Sequence, residues 1–262
     1  MNVFEDSGCV LHHGDYTKRL GSVRDVDLFL TSPPYNIGSR GVRKDGFRKL
    51  GKFDPKSFGS IRGYSDALPE DVYQAQQRDF FLSFCLPRLS DNGVILYNHK
   101  NRHRGKKLIS PLQWLPLDKL TLHDEITLIR GCTHNHEKSF EDPCTERLYI
   151  LKRSPSSKIY FDKRVTDEFK NTKDFWWFPI QRTRQENRHC APFDLSFARE
   201  CVFRWCPPGG LVCDPYCGSG TSMLASWFER RRFVGAERER KYFDQSVSRF
   251  QVTVSLPAQK VS

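Results

Sequence analysis

The sequence has no apolar run approaching the about 18 residues that a membrane-spanning helix requires. Its first ten residues, Met1 to Val10, also lack the basic and then apolar order that marks a secretory signal peptide. We therefore expect an intracellular protein, in the bacterial cytoplasm or nucleoid or, for a eukaryotic source, in the nucleus.

Closely paired cysteines are missing as well. The nine cysteines are odd in number, irregularly spaced and contain no C-x-x-C pair. Since an intracellular compartment keeps thiols reduced, we expect buried free thiols rather than a disulfide framework. The nearest approach to a zinc site is Cys132, His134 and His136 with Cys144, but without a C-x-x-C pair no metal is expected.

Acidic residues are too few to balance the basic ones. The chain has 42 Lys and Arg against 31 Asp and Glu, a formal net charge of +11. Such an excess indicates a polyanionic partner, and nucleic acid is the leading candidate. An anionic membrane surface stays open as a partner, but no long amphipathic basic helix supports it. We expect the protein to bind DNA and not a membrane. A homodimer is left open as its oligomeric state.

The chain suits one α/β domain over residues 1–262, because this length gives one well-buried core and no low-complexity linker divides it. Val26 to Thr31 predicts a buried strand that stops at two prolines. A helix over Pro69 to Leu89, a turn at Asp91-Asn92-Gly93 and a strand over Val94 to Tyr97 follow. The cofactor-binding half, about residues 189–250, predicts a strand at 211–213 and, after a glycine turn, a helix at 221–230. A strand at 232–236 and a helix at 241–250 follow. This order favours a Rossmann-like, doubly wound, mostly parallel sheet.

Three basic segments interrupt this pattern. Residues 38–64 contain six glycines and eight Lys or Arg, which is typical of a mobile loop. Asn98 to Lys107 predicts a second basic loop. About residues 153–188 form a candidate target-recognition insertion, where Lys163 to Arg188 mixes aromatic and basic side chains that suit DNA. The candidate DNA-binding residues are Arg40, Arg43, Lys44, Lys100, Arg102, Arg104, Arg182 and Arg184.

Two motifs each follow a predicted strand: Thr31-Ser32-Pro33-Pro34-Tyr35-Asn36 and Asp214-Pro215-Tyr216-Cys217-Gly218-Ser219-Gly220-Thr221. Ligands of open α/β sheets bind at the carboxyl ends of the strands, so we expect both motifs at one crevice. Gly218 and Gly220 allow a ligand close to the backbone, and the next helix directs its N-terminus at the same point. The spacing fits neither a P-loop nor a dinucleotide fingerprint. Glu237, after the next strand, is placed to accept two ribose hydroxyls.

These motifs resemble those of the permuted, β-class amino-methyltransferases of bacterial DNA modification systems, which act on cytosine N4 or adenine N6. The similarity extends over most of the chain and includes His13-Gly14-Asp15, Cys190-Ala191-Pro192-Phe193, Arg232 to Glu237 and the helix from Tyr242 to Phe250. Tyr216, where phenylalanine is usual, and Arg238 depart from the family pattern without removing a needed group.

The resemblance implies S-adenosyl-L-methionine as cofactor. It implies that the glycine motif holds the methionine end, that Glu237 binds the ribose, that Asp15 lies near the adenine, and that Pro192 and Phe193 line the pocket. The candidate cofactor-binding residues are Asp15, Thr31, Pro192, Phe193, Asp214, Pro215, Tyr216, Gly218, Ser219, Gly220, Thr221 and Glu237.

The candidate catalytic residues are Ser32, Pro33, Pro34 and Tyr35. The exocyclic amine of a base is a poor nucleophile, because its lone pair is delocalised into the ring. The Ser32 hydroxyl and the Pro33 carbonyl are two acceptors that would hold the amine hydrogens and turn the lone pair toward a sulfonium methyl group. Tyr35 offers a ring on which a base removed from its stack would rest.

Serine at the first motif position accompanies cytosine N4 methylation more often in the resembled family, so we favour N4 of cytosine over N6 of adenine. A cytosine C5 enzyme is disfavoured, because the only Pro-Cys pair, Pro143-Cys144, lacks the expected surroundings. RNA and protein amino-methyltransferases place the glycine motif first, whereas here it comes second. A catalytically silent DNA-binding module is the alternative from another class.

Overall fold

The structure is a computed structural model that describes residues 2–36, 68–104, 107–130, 144–164, 173–178 and 194–256. The strands are β1 Val3–Asp6, β2 Cys9–His13, β3 Val26–Thr31, β4 Leu89–His99, β5 Arg102–Arg104, β6 Lys107–Ile109, β7 Thr121–Ile129, β8 Thr145–Lys152, β9 Phe175–Trp177, β10 Leu211–Asp214 and β11 Arg232–Glu237. The α-helices are α1 Tyr16–Arg19, α2 Glu70–Asp79, α3 Leu195–Trp205, α4 Thr221–Phe228 and α5 Arg240–Ser255. A π-helical turn, Phe80–Cys85, continues α2, and Pro111–Gln113 form a 3₁₀ turn.

Within these ranges nine strands form one sheet in the order β1-β2-β11-β10-β3-β4-β8-β7-β9. The run β2, β11, β10, β3 and β4 is parallel throughout. Strand β8 is antiparallel to both neighbours, so β7 and β9 return to the common direction. The predicted Rossmann-like, mostly parallel sheet is therefore confirmed, and the carboxyl ends of seven of the nine strands lie at the same edge.

Helices cover both faces of the sheet, which explains why β3 is apolar without alternation. Leu28 and Leu30 pack in one cluster with residues of α3, α4 and α5. Phe29, between them, packs in a second cluster with residues of α2 and its π-helical turn. Both sides of β3 are thus buried, and its end is held rigidly in the middle of the sheet.

Strand β4 differs from its predicted bounds. The predicted turn Asp91-Asn92-Gly93 lies inside the strand, where the register against β3 shifts between Val26 and Leu28. A Cβ atom on Gly93 would lie 2.5 Å from the Val26 carbonyl oxygen, so glycine permits the close approach of the two strands. Pairing with β3 has overridden the local turn preference of the sequence. The helix predicted over 69–89 ends with the π-helical turn at Cys85, before β4 begins at Leu89.

The predicted basic loop after β4 is also corrected. Asn98 and His99 still belong to β4, and Arg102–Arg104 pair with Lys107–Ile109 in a short antiparallel hairpin. Strands β7 and β8, which the sequence analysis missed, extend the sheet beside β4. Strand β8 pairs with β4 as far as His99, so β4 continues further than its apolar residues suggest.

Six cysteines in the described ranges are buried free thiols, as expected: Cys9, Cys85, Cys201, Cys206, Cys213 and Cys217. Cys144 is disulfide-bonded, so the expectation of reduced thiols is wrong there. Of the helices the structure describes, none combines the length and the apolarity that crossing a bilayer demands.

Candidate active site

The carboxyl edge of the parallel run brings the two motifs together. Ser32 follows β3 and Asp214 ends β10, and these two strands are parallel neighbours. Glu237 ends β11 on the far side of β10, and its backbone carbonyl accepts a hydrogen bond from Gly14, next to Asp15, at 2.9 Å. The two motifs therefore follow adjacent parallel strands at one edge of the sheet, while the predicted crevice between them stays a prediction.

The glycine turn is held from two sides. The Gly218 amide donates to Glu237 Oε2 at 2.8 Å, and the Ser246 hydroxyl of α5 donates to the Gly218 carbonyl at 2.7 Å. Arg249, also on α5, donates to the Ser219 carbonyl. Sequence reasoning missed Ser246 and Arg249, because a serine and an arginine in an amphipathic helix carry no motif signal.

Gly220 is needed at its position for two reasons. Its φ is +80°, a left-handed conformation that L side chains rarely adopt, and an added Cβ would lie 2.9 Å from the Ser246 Cβ. As the N-cap of α4, Gly220 provides no side-chain hydrogen bond. The first amide protons of α4 therefore have no side-chain cap at this end, which suits the binding of an anionic group.

Asp214 and Glu237 are buried carboxyl groups whose oxygens accept hydrogen bonds. Asp214 accepts from the Tyr216 amide at 3.0 Å and from the Ser222 hydroxyl at 2.5 Å, and Glu237 accepts from the Gly218 and Glu239 amides. Burial, only partly offset by these donors, raises the pKa of Asp214 to about 6 and that of Glu237 to about 7. Both groups would bind donors or positive charge more strongly once ionised.

Three further predicted residues occupy the same edge. Asp15 caps α1 and accepts from the Thr17 amide at 2.9 Å. Thr31 is fully buried, and its hydroxyl has no hydrogen-bond partner of ordinary geometry, although it lies close enough to Asp214 to lower the pKa of that carboxyl. The Tyr216 ring packs on Tyr16 at 5.1 Å between centroids. Their predicted contacts with a cofactor stay predictions.

The Ser-Pro-Pro-Tyr turn contains a hydrogen bond that the sequence does not reveal. Ser32 Oγ lies 2.8 Å from Tyr35 Oη, and Tyr35 Oη donates to Asn98 Oδ1 at 2.8 Å. Glu146 Oε2 lies at the longer distance of 3.4 Å from the same phenol oxygen. Tyr35 is therefore fixed through its hydroxyl as well as through its ring, whose centroid is 4.5 Å from that of His99.

The second proline is anchored by a neighbouring side chain of α2. The Tyr73 hydroxyl donates to the Pro34 carbonyl at 2.7 Å and lies 2.7 Å from His99 Nε2. Burial lowers the pKa of His99 to about 3, so this imidazole is neutral at physiological pH. Among the residues the structure describes, none donates to the Pro33 carbonyl, so its oxygen remains able to accept.

Asn36, the last residue of the motif, is 1% exposed and has a φ of +54°. In its side chain, Nδ2 donates to the Leu68 carbonyl at 3.1 Å and Oδ1 accepts from the Leu68 backbone amide at 2.8 Å. Arg104 donates to the Asn36 carbonyl at 2.6 Å. The motif is thus joined by hydrogen bonds to the residues that lead into α2 and to the β5–β6 hairpin.

Arg102, which the sequence predicts to contact DNA, is buried beneath the motif. Its side chain is 3% exposed and pairs with Glu70 in a two-pronged hydrogen bond of 2.7 and 2.8 Å. Its guanidinium also lies over the rings of Tyr73 and Trp114, at 4.8 and 5.2 Å from their centroids. Although burial opposes ionisation, the hydrogen bonds from Arg102 and Gln74 keep the pKa of Glu70 below its ordinary value. Arg102 therefore supports the site from within the protein.

Of the other predicted site residues, some lie beside the motif and some lie outside the described residues. Lys100 and Arg104 are partly exposed beside the motif, and the Lys100 ammonium lies 5.8 Å from the centroid of the Tyr35 ring. The remaining predicted site residues lie outside the described residues: Arg40, Arg43, Lys44, Arg182, Arg184, Pro192 and Phe193. So do the whole predicted loop 38–64 and most of Lys163 to Arg188.

Over the ranges with described coordinates, no group of three or more His, Cys, Asp or Glu side chains is arranged to hold a metal ion. Cys132, His134 and His136, considered for zinc, lie outside those ranges.

The chain matches known proteins over most of its length. A family model described as DNA methylase, N6_N4_Mtase, matches residues 26–248. The type II methyltransferase M.ScaI of Streptomyces caespitosus is 26% identical, over 95% of this chain and 83% of that enzyme. M.Cfr9I of Citrobacter freundii, also a type II methyltransferase, is 29% identical, but the match covers only 42% of this chain and 38% of that enzyme.

Solved structures with the same fold are more distant in sequence. PvuII DNA methyltransferase, described as cytosine-N4-specific, superposes with a TM-score of 0.70 at 16% identity, over 97% of this chain and 89% of that one. TTHA0409 of Thermus thermophilus, in complex with S-adenosyl-L-methionine, gives a TM-score of 0.58 at 19% identity, over 92% and 93% of the two chains. At these identities the structures establish the fold alone.

The raised pKa of Asp214 predicts how stability depends on pH. Because the folded-state pKa rises from 3.8 to about 6, the folded protein binds more protons, and its stability falls as the pH rises through that range. Asp214→Asn removes this ionisation, and its amide still offers an acceptor to the Tyr216 amide and a donor to the Ser222 hydroxyl. Relative to wild type, the variant should gain roughly 2 kcal/mol between pH 4 and pH 7, a value that follows from a shift of about two pKa units, part of which already acts at pH 4.

Urea unfolding at pH 4, 5.5 and 7 measures this difference, with Asp71→Asn as a control at an exposed position of α2. A stability difference between wild type and Asp214→Asn that stays constant over this pH range would contradict the assignment.

Proposed function

This chain belongs to the N6_N4_Mtase family of DNA methylases, and from that premise we propose that it methylates the exocyclic N4 of a cytosine turned out of DNA. Its main support is the placement of Ser32 and the glycine turn after the parallel neighbours β3 and β10. An amine bound at Ser32 would face a methyl donor bound at the glycine turn. The two reactants would then meet without a covalent enzyme intermediate.

The cofactor is S-adenosyl-L-methionine, which when bound supplies an electrophilic methyl group on its sulfonium sulfur. The chemistry of the edge fits such a molecule. The uncapped start of α4 suits a carboxylate, and the buried carboxyl groups Asp214 and Glu237 suit positive charge and ribose hydroxyls. Asp15, Thr31, Pro215 and Tyr216 border the same region, and we assign them to the cofactor on this basis.

The protein's part in the reaction is to hold the amine. We infer that Ser32 Oγ and the Pro33 carbonyl accept hydrogen bonds from the two amine hydrogens, so that the nitrogen lone pair is no longer shared with the ring. Tyr73, through the Pro34 carbonyl, and Asn36, through Leu68, fix the turn that carries both acceptors. Such alignment of two reactants is worth about 7–11 kcal/mol of the barrier.

Tyr35 would support the extruded base. One side of its ring contacts His99, while the residue as a whole remains partly exposed. A base removed from the DNA stack loses a few kcal/mol of stacking and pairing energy, and contact with an aromatic ring offsets part of this loss. We therefore keep the predicted role of Tyr35 as the surface on which the target base rests.

Cytosine is favoured over adenine for two reasons. Serine occupies the first position of the motif, as it does more often in cytosine N4 enzymes of the resembled family. PvuII DNA methyltransferase, which shares the fold over 97% of this chain, is described as cytosine-N4-specific. N6 methylation of adenine is the alternative, because the family includes both activities by name.

DNA is the proposed macromolecular substrate. Lys100 lies near Tyr35 and Arg104 near Asn36, both partly exposed beside the motif, where the phosphates next to an extruded base would pass. The net charge of +11 supplies the general attraction. Arg40, Arg43, Lys44, Arg182 and Arg184 are proposed as further contacts on their sequence alone.

Mass spectrometry of nucleosides tests the function directly. DNA of mixed sequence is incubated with the purified protein and S-adenosyl-L-methionine, then digested to nucleosides. N4-methylcytosine is the expected product, whereas N6-methyladenine would establish the alternative. Binding of DNA without any methylated nucleoside would favour a catalytically silent DNA-binding module.

Ser32→Ala should lower the rate of methyl transfer by about 100-fold or more, the effect of removing one polar group that acts on developing charge. Cofactor affinity, measured by calorimetry, should stay at the wild-type value, because the serine contacts the base. Ser156→Ala, at an exposed position, is the matched control. Full turnover by the Ser32 variant would remove this residue from the mechanism.

DNA affinity should fall steeply with salt, and Lys100→Gln should reduce the slope of log affinity against log salt by about 0.9, the loss of one phosphate contact. Lys119→Gln should leave the slope unchanged, since Lys119 precedes β7 at the amino edge of the sheet. Equal slopes for wild type and the Lys100 variant would mean that Lys100 does not neutralise a phosphate.

A further inference from the structure

We propose that Asn98 is a positioning residue that fixes the direction of a hydrogen-bond chain, so that Ser32 can only accept, and never donate, a hydrogen bond at the target base. This inference rests on the proposed function, since it specifies how the Ser32 hydroxyl treats the base. The chain consists of Ser32, Tyr35 and Asn98, and it crosses from the turn after β3 to the end of β4.

The orientation of the Asn98 amide is fixed first. Asn98 is 1% exposed, and its Nδ2 donates to the Arg147 carbonyl at 3.2 Å. A backbone carbonyl can only accept, so the nitrogen must face β8 and the oxygen must face Tyr35. The antiparallel register that pairs Asn98 with Leu148 places this carbonyl beside the side chain.

The direction of the next bond follows. Asn98 Oδ1 can only accept, so Tyr35 gives its single phenolic proton to it over 2.8 Å. Burial and the nearby Glu146 raise the pKa of Tyr35 well above its ordinary value, so the phenol keeps this proton. The Glu146 carboxylate, at 3.4 Å, is also an acceptor and would impose the same direction on the phenol.

Ser32 is then left with one role. With the phenolic proton committed, Tyr35 Oη accepts from the Ser32 hydroxyl over 2.8 Å. Ser32 Oγ therefore presents only lone pairs to a bound base. An exocyclic amine, which donates, fits this arrangement, whereas a carbonyl oxygen at the same position would face lone pairs.

Asn98 thus contributes to specificity without touching the base. It favours a base that carries an amine over one that carries a carbonyl group at the equivalent ring position. The same polarity would hold for cytosine and for adenine, so the inference does not depend on which of the two is methylated.

A double-mutant cycle in the full-length protein tests the chain. Asn98→Leu keeps the approximate shape and removes the acceptor, and Tyr35→Phe removes the phenol. We expect Asn98→Leu to lower kcat by about tenfold, within the range of couplings between neighbouring residues, with KM for DNA and the Kd for S-adenosyl-L-methionine little changed. In the Tyr35→Phe background, the same change should have no further effect on kcat.

Two further variants separate positioning from packing. Asn98→Asp retains an acceptor toward Tyr35 but cannot donate to the Arg147 carbonyl, so its kcat should lie closer to wild type than that of Asn98→Leu. Asn92→Leu makes the same substitution near the start of β4, where Asn92 is exposed and accepts from the Lys158 amide, and should leave kcat unchanged.

Additive effects of Asn98→Leu and Tyr35→Phe on kcat would overturn the proposal, as would an Asp variant as slow as the Leu variant. An Asn98→Leu variant with wild-type kcat would show that Glu146 alone holds the phenol and would also overturn it. Urea unfolding of wild type, Asn98→Leu, Tyr35→Phe and the double variant gives a readout that needs no catalysis. If the two substitutions change the free energy of unfolding additively, the hydrogen-bond chain itself is overturned. If their effects are not additive but the wild-type protein methylates no base, the hydrogen-bond chain stands and the proposed function is overturned instead.

Discussion

The parallel pairing of β3 with β10 on one side and β4 on the other is the constraint on which the candidate site depends. Parallel strands end at the same edge of a sheet, so this pairing brings together residues about 180 positions apart in the chain. The Ser-Pro-Pro-Tyr turn lies between the glycine turn and Asn98 for this reason alone. Burial of β3 on both faces holds its end in place.

Much of the site consists of polar groups that are buried and hydrogen-bonded before any ligand arrives. Glu237 holds the Gly218 amide, Tyr73 holds the Pro34 carbonyl, and Asn98 holds the Tyr35 hydroxyl. Such groups cost free energy to bury, and they tolerate burial because each finds a partner. A rigid set of acceptors is what the proposed reaction would require, since alignment of the reactants would take the place of covalent chemistry.

Arg102 illustrates how charge alone misleads. In the sequence it stands among basic residues after a strand, which favours a phosphate contact. In the structure it packs under the motif against Glu70, Tyr73 and Trp114. Those three partners come from α2 and from the segment after β6, and no local pattern links them to Arg102. The neighbouring Lys100 and Arg104 remain partly exposed and stay candidate DNA contacts. Basic residues that are close in the sequence therefore differ in role, since Arg102 packs inside the protein.

By itself, the sequence determined the fold class, the bounds of β3 and the two motifs, because apolar runs, prolines and glycines act through local backbone chemistry. It also determined the family, since the motifs occur in an order that few folds share. Only the tertiary structure showed that Asn98, Ser246 and Arg249 contact the two motifs, and that Arg102 is buried against Glu70. Their roles depend on contacts between strands and helices far apart in the chain, and the hydrogen-bonding groups of one residue do not specify which partner the fold will bring to it.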